Sequence, residues 1–206
     1  MSRSRPADGG NRKNAVGSTQ VAPVSPPASL AGPPYRIVFV CTGNICRSPM
    51  AEVITRALAS EVELEGDCSM ADQLDVRSAG TGPWHEGEPM HPLAAESLVR
   101  GGYPAHRHVA RQFATSEMGR IDLIVALDRR HRQTLRGLGA DPDRLALLRG
   151  FDPAAGAAAD VPDPYYGDEV VFDECRDMIA AACNGLVLSL GDHWDALWRP
   201  ESEPYP

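Results

Sequence analysis

The 206-residue chain holds a single lysine, Lys13, and no apolar run near the roughly eighteen residues that a membrane helix needs. After the basic residues at the front, Ser18, Thr19, Gln20, Pro23 and Pro26 interrupt the chain before an apolar core can form, so the start does not read as a signal peptide. From these absences the protein is expected in the cytoplasm, with no membrane partner. Beyond the front, acidic groups outnumber basic ones. Residues 1–14 hold four basic groups and one acid, so the formal charge of −8 leaves about −11 for the remainder, a poor match for nucleic acid. The five cysteines are odd in number and come without an export signal, which fits free thiols in a reducing compartment better than a disulfide framework.

What the chain does have is concentrated at residues 41–48, Cys-Thr-Gly-Asn-Ile-Cys-Arg-Ser, between the apolar run Arg36–Val40 and Pro49-Met-Ala-Glu. This reads as a strand, a tight loop with a thiol, and a helix start. Loop N–H groups and the positive end of the helix can cradle a tetrahedral dianion, with Cys41 at its base and Arg47 at its rim. With 5 Cys and 19 Arg, chance gives about 0.46 Cys-x5-Arg matches; requiring the Gly and the Ser lowers that to roughly 0.003. The loop is therefore treated as a signal.

Residues 1–34, basic and rich in Gly, Ser and Pro, read as a disordered arm, 35–196 as one domain, and 197–206 as a short acidic tail. Within the domain, Ser48 is expected to cap a helix with Pro49 in its first position and Met50, Val53, Ile54, Ala57 and Leu58 on its apolar face. Gly66 to Ala71 reads as a turn-rich break and 74–78 as a second strand. Residues 92–100 form a helix stopped by Gly101-Gly102. A third strand spans 121–127, Asp128 caps a helix through Leu135 and Leu138, and 145–148 is a fourth strand. The last helix spans about 168–190, with Val170, Val171, Cys175, Ile179, Cys183 and Leu186 as its apolar face. Alternating helices and doubly apolar strands predict an α/β single domain, a four-stranded parallel sheet with helices on both faces. Ligands of such sheets sit beyond the carboxyl ends of the strands, where the loop at 41–48 lies.

Thiolate attack on phosphorus suits Cys41, and the planar fork of Arg47 suits equatorial phosphoryl oxygens. An alkoxide or phenoxide leaving group also needs a proton. The best donor is Asp163 in Val161-Pro-Asp-Pro-Tyr-Tyr-Gly167, set between two prolines on a stiff loop whose apolar neighbours are expected to keep it protonated.

Residues 41–52 together with Asp163-Pro-Tyr-Tyr-Gly167 resemble the low molecular weight protein tyrosine phosphatases. The resemblance runs on through Arg77-Ser-Ala-Gly-Thr81, Trp84, His108-Val-Ala-Arg-Gln112 and Ala126-Leu-Asp128, over roughly residues 35 to 190. The bias to Arg, Ala, Gly and Pro suggests a high-GC bacterial genome and an actinobacterial-type member. The resemblance implies a flavodoxin-like strand order, 2-1-3-4. It also implies Cys41 as nucleophile, Arg47 as transition-state clamp, and Asp163 as the general acid that later activates water against a phosphocysteine. Backbone N–H groups of Thr42, Gly43, Asn44, Ile45 and Cys46 would bind the phosphoryl oxygens, and Ser48 would hydrogen-bond the thiolate or the loop. Asn44 is suited to a left-handed conformation, with Ser78 and His108 matching the side chains that hold it. Trp84, Tyr165 and Tyr166 match the aromatic walls. Asp128 is expected to be a helix cap and nothing more. Cys46 matches the second loop thiol, and the curl of the loop would let it form a reversible disulfide with Cys41. The segment His91-Pro-Leu93 departs from the Asp and Arg of many relatives.

A phenol leaves more readily than an alkyl alcohol, which favours tyrosine phosphate. The implied partner is a tyrosine-phosphorylated protein, a tyrosine kinase or a host protein, and no metal or cofactor is implied. Arsenate reductases of this scaffold relay oxidation through further cysteines in a downstream loop, and none lies between Cys68 and Cys175. Protein-arginine phosphatases carry Thr where this chain has Ile45. A non-catalytic phosphate-binding scaffold protein would be expected to lose Cys41, Arg47 or Asp163.

Overall fold

The computed structural model describes residues 24–64, 68–104, 107–156 and 160–198. Residues 1–23 and 199–206, most of the expected arm and tail, and part of the expected break at 66–71 lie outside them. In chain order the elements are β1 (Tyr35–Cys41), α1 (Arg47–Ser60), β2 (Glu63–Leu64), β3 (Cys68–Ser69), β4 (Leu74–Gly80), α2 (Pro92–Arg100), β5 (Leu123–Ala126), α3 (Arg129–Gly137), β6 (Leu145–Leu147), α4 (Glu169–Asp192) and α5 (Trp194–Leu197).

β1 lies inside a parallel sheet of order β4-β1-β5-β6, with Cys41 level with Gly80 and Val40 level with Ala126. Counted among the four sheet strands alone, this is the expected order 2-1-3-4. Alternation along β1 feeds two cores, as a sheet covered on both faces requires. Tyr35, Ile37, Phe39 and Cys41 join the larger core with α1, α2 and α4, while Val38 and Val40 join a smaller one with Leu135 of α3. The sheet thus delivers the carboxyl end of β1 and the amino end of α1 to one edge.

Several boundaries differ from the sequence expectation. α1 begins at Arg47, its N-cap Cys46 makes no side-chain cap, and Ser48 lies inside the helix with its hydroxyl turned to the loop. The break after α1 contains the short antiparallel pair β2–β3. β4 extends to Gly80, because its last two residues pair with Val40 and Cys41. Val170 is 63 % exposed and Val171 is also at the surface; the buried face of α4 is built instead from Phe172, Cys175, Ile179, Ala182, Cys183, Leu186, Val187 and Leu190. The two valines lie in the first turn, where Asp168 accepts from Val171 N at 3.2 Å, and the helix has not yet turned onto the core.

Residues 24–34, expected in the arm, run along the domain. Ser29 N donates to Leu197 O at 2.7 Å, Ser189 Oγ to Val24 O at 3.1 Å, and Arg144 Nη1 to Ala28 O at 2.9 Å. Their anchor is Asp122, wholly buried, which accepts from Leu30 N at 2.6 Å, Arg36 N at 2.8 Å and Ser29 Oγ at 3.2 Å. A buried carboxylate satisfied by three donors ties this strap to the amino end of the sheet, opposite the loop.

Candidate active site

The loop between β1 and α1 turns through Asn44, which is buried and has φ 60°, a left-handed conformation that Asn tolerates. Its amide fixes that turn: Nδ2 donates to Ser48 Oγ and Ser78 Oγ, both at 2.9 Å, and Oδ1 accepts from Arg111 N at 3.0 Å. His108 Nε2 donates to the Asn44 carbonyl at 2.6 Å, and Ser78 Oγ donates to Glu52 Oε2 at 2.7 Å. Ser78 and His108 therefore act on the loop through Asn44.

Cys41 Sγ lies 3.3 Å from Asn44 N and 3.0 Å from Ser48 Oγ, whose hydroxyl also reaches the Ala79 carbonyl at 3.2 Å. One rotatable proton can thus serve either the carbonyl or the sulfur. No acidic residue stands in the first turn of α1 and no side chain caps it, so its free N–H groups and positive dipole end are left for an anion.

Arg47 is buried beneath this cradle, and its fork is shared by two carboxylates. Nη2 lies 2.7 Å from Asp163 Oδ2, while Nη1 donates to Asp128 Oδ2 and Val161 O, both at 3.1 Å. Asp128 is more than the helix cap expected: it accepts from His131 N at 2.7 Å and also faces Arg47. Burial opposes its ionisation, but hydrogen bonds from His131 and the charges of His131 and Arg47 outweigh that and hold its carboxyl well below the usual carboxylate range. The Asp163 side chain is 50 % exposed and paired with Arg47, so it is not in the apolar enclosure expected of it.

The pocket above has a volume of about 380 Å3 and is lined by Cys41, Thr42, Gly43, Ile45, Cys46 and Arg47 below and Trp84, His85, Asp163, Tyr165 and Tyr166 around it. Asn44 and Ser48 are not in its wall; they stand behind it. Trp84 is 66 % exposed, its ring folded over Gly82 so closely that a Cβ there would sit 2.0 Å from it. Tyr166 is 97 % exposed and meets Tyr165 edge-on at 4.8 Å between ring centroids. An open aromatic rim over a narrow polar floor suits a flat ring carrying a tetrahedral anion.

All five cysteines are unpaired. Burial, and after it the charge of Cys41, pushes the Cys46 thiol up, and burial pushes Cys175 up to about 12, so both are held as neutral thiols. Among the described residues, no cluster of three or more His, Cys, Asp or Glu could hold a metal ion, and no helix is long and apolar enough to cross a membrane.

Residues 36–195 match the family described as low molecular weight phosphotyrosine protein phosphatase. The chain belongs to that family. It is 48 % identical over 160 residues to the low molecular weight protein-tyrosine-phosphatase of Streptomyces coelicolor, covering 76 % of this chain and 93 % of that protein. The crystal structure of YfkJ from Bacillus subtilis superposes with a TM-score of 0.69 at 35 % identity, covering 79 % of this chain and 98 % of that one. The arginine phosphatase YwlE superposes with a TM-score of 0.64 at 29 % identity, covering 75 % and 95 %. The family match begins at residue 36, after the strap.

Four residues around the site were not expected from the sequence. His85 lines the pocket, its ring edge against Gly43 and its Nδ1 2.8 Å from Glu88 Oε2. His91, in the segment that departs from many relatives, donates its backbone N–H to Ile45 O at 2.8 Å, and its ring stacks on Phe172 at 5.0 Å and meets Tyr165 at 5.7 Å. Glu52 supports Ser78, and His131 lies beneath Thr42 with Nε2 2.9 Å from Oγ1. His85 stands next to Trp84, Glu52 closes the 41–52 motif and His91 opens the departing segment, whereas His131 had no local signal.

Proposed function

We propose that this chain is a protein tyrosine phosphatase that hydrolyses phosphotyrosine through a phosphocysteine. The observation that carries this reading is one pocket bringing together a thiol on the cradle floor, the Arg47 fork, the Asp163 carboxyl and an aromatic rim. The Cys41 thiolate attacks phosphorus, the S–P bond forms as the P–O(aryl) bond breaks, and Asp163 gives its proton to the departing phenoxide. Arg47 and the loop N–H groups hold the charge that spreads over the equatorial oxygens. The Asp163 carboxylate then takes a proton from water, which attacks the phosphocysteine, and phosphate leaves as the thiolate is restored.

The similarity to an arginine phosphatase makes phosphoarginine the second reading. Ile45 in the pocket floor and the paired tyrosines at its rim favour a phenyl ring over an extended guanidinium. The substrate is then a tyrosine-phosphorylated protein, and the unpaired cysteines support a reducing compartment.

The test is hydrolysis of p-nitrophenyl phosphate in chelator, with peptides bearing phosphotyrosine or phosphoarginine run in parallel. Cys41→Ser should abolish turnover, and Asp163→Ala should slow poor leaving groups far more than good ones. A Cys41→Ser protein at the parent rate sinks the phosphocysteine, an equal Asp163→Ala loss across the leaving-group series removes Asp163 as the acid, and preference for the phosphoarginine peptide reverses the substrate. The same two variants, used as substrate traps and read by mass spectrometry, would identify the phosphoprotein.

A further inference from the structure

Thr42, His131, Asp128 and Arg47 close a ring of side chains beneath the cradle. His131 Nε2 lies 2.9 Å from Thr42 Oγ1, and its Nδ1 lies 2.9 Å from Asp128 Oδ1. Asp128 Oδ2 accepts from Arg47 Nη1 at 3.1 Å, and Arg47 Nη2 returns to Thr42 Oγ1 at 3.4 Å. The His131 and Arg47 side chains are only 5 % and 4 % exposed, so the ring is interior.

An ionised Asp128 can only accept, so the Nδ1 of His131 carries hydrogen toward it, while Nε2 and the Thr42 hydroxyl share one hydrogen and Thr42 keeps a lone pair for Arg47. The Nδ1–Oδ1 approach is held by proximity and charge more than by a well-aligned hydrogen bond, and the same oxygen takes the His131 backbone N–H at 2.7 Å. Two contacts on Oδ1 stop the carboxylate from rotating about its soft terminal torsion, and that rotation would swing Oδ2 away from the guanidinium.

We propose that His131 is a positioning residue for Arg47: it fixes Asp128 on one side and Thr42 on the other, so that both guanidinium nitrogens have a set place before substrate arrives. This rests on the reading of Arg47 as the phosphoryl clamp. Its consequence is preorganisation. Arg47 can release Asp163 and turn to phosphoryl oxygens while Asp128 keeps hold of Nη1, so the clamp needs little reorganisation at the moment of reaction.

The two arms of the ring can be cut separately. In His131→Asn the amide nitrogen falls near the place of Nδ1 and keeps the donor to Asp128; in His131→Gln the amide reaches the place of Nε2, where its oxygen or its nitrogen can meet the Thr42 hydroxyl, but the contact to Asp128 is lost. Steady-state kcat and KM for p-nitrophenyl phosphate, the inhibition constant of vanadate and the melting temperature are read for each, and for both in an Asp128→Asn background. His131→Gln should lower kcat about tenfold, a size typical of an outer-shell partner, and weaken vanadate similarly, with KM changed less than about threefold. His131→Asn should stay within about threefold of the parent, and neither loss should add to that of Asp128→Asn.

Equal losses in the Asn and Gln variants, additive losses with Asp128→Asn, or a Gln variant within about twofold of the parent would overturn the proposal. Should His131→Gln not fold, Thr42→Val, which removes only the hydroxyl, decides: a kcat loss coupled to Asp128→Asn supports the ring, and an additive loss or no loss refutes it. A parent protein inactive on aryl phosphates would instead sink the clamp reading itself.

Discussion

Replacing Asn44 by alanine should damage the cradle in two separable ways. The first is the loss of three side-chain hydrogen bonds, two from Nδ2 to Ser48 and Ser78 and one from Arg111 N to Oδ1, at 2.9, 2.9 and 3.0 Å. At about 1 kcal/mol each, these give about 3 kcal/mol, and the partly buried Arg111 N–H is left without its acceptor. The second is conformational: φ at Asn44 is 60°, where alanine costs about 1–2 kcal/mol. Asn44→Ala should therefore lose about 4–5 kcal/mol in urea unfolding, or roughly 8–20 °C in melting temperature for a domain of this size.

Asn44→Gly separates the terms. Glycine makes none of the three bonds but accepts the left-handed turn, while its freer unfolded chain costs about 0.5–1 kcal/mol. It should be more stable than the alanine variant by about 0.5–1 kcal/mol, and both should lose more than about tenfold in kcat on p-nitrophenyl phosphate, since Asn44 N points at Cys41 Sγ from 3.3 Å. An alanine variant that loses less than about 1 kcal/mol and turns over at the parent rate, or one more stable than its glycine counterpart, would refute the claim that this side chain and this turn hold the loop.

Three other changes follow from features away from the thiol. Because its carboxyl is held below the usual range, Asp128 contributes stability that is present above about pH 4, the unfolded value, and is lost as pH falls toward the lower folded one. Asp128→Asn should thus be less stable than the parent at pH 7, and the gap should narrow below about pH 4; a gap constant from pH 3 to 7 in urea titrations would contradict this. Asp122→Ala orphans the Leu30 and Arg36 N–H groups and should cost about 3 kcal/mol in urea unfolding, yet leave kcat near the parent value in native buffer, because Asp122 lies at the other end of the sheet. Gly185→Ala would ordinarily strengthen a helix, but its Cβ would fall 1.9 Å from the Phe151 carbonyl oxygen, so a loss of more than about 2 kcal/mol is expected, and a melting temperature at or above the parent's would show that α4 can shift away.

The sequence made legible what is local or periodic. The thiol loop is contiguous, the strand runs are apolar on both faces, and their alternation with helices led to a covered parallel sheet, while its strand order came from the family resemblance. What it did not disclose is which distant side chain each loop group meets. Asp128 lies 81 residues from Arg47 and His131 lies 89 from Thr42, and nothing around either distinguishes a helix cap from a partner of the clamp. Ser48 shows the limit from the other side. Ser-Pro ahead of an apolar run is an ordinary cap pattern, but here Asn44 and Cys41 need that hydroxyl more than the helix end does, and the helix starts one residue before it with no cap. Likewise the strap from residue 24 looked like more of the arm, because its composition is that of a linker; its order comes from one buried carboxylate far along the chain.

The pairing of Arg47 with Asp163 bears directly on how the acid is readied. In the proposed mechanism a clamp bonded to the acid would disable both, but the energies favour exchange. Asp163 is half exposed, so its ion pair with Arg47 is worth about 1 kcal/mol or less. The bonds Arg47 can make to a phosphoryl dianion in a buried cradle are charge-assisted and bidentate, and therefore stronger. Substrate should accordingly draw the fork off Asp163, leaving a carboxyl beside a dianion with its counter-charge withdrawn. The freed carboxyl can then face the leaving oxygen, where a general acid is needed. On this reading Asp163 is released only when there is a phosphoryl group to be moved.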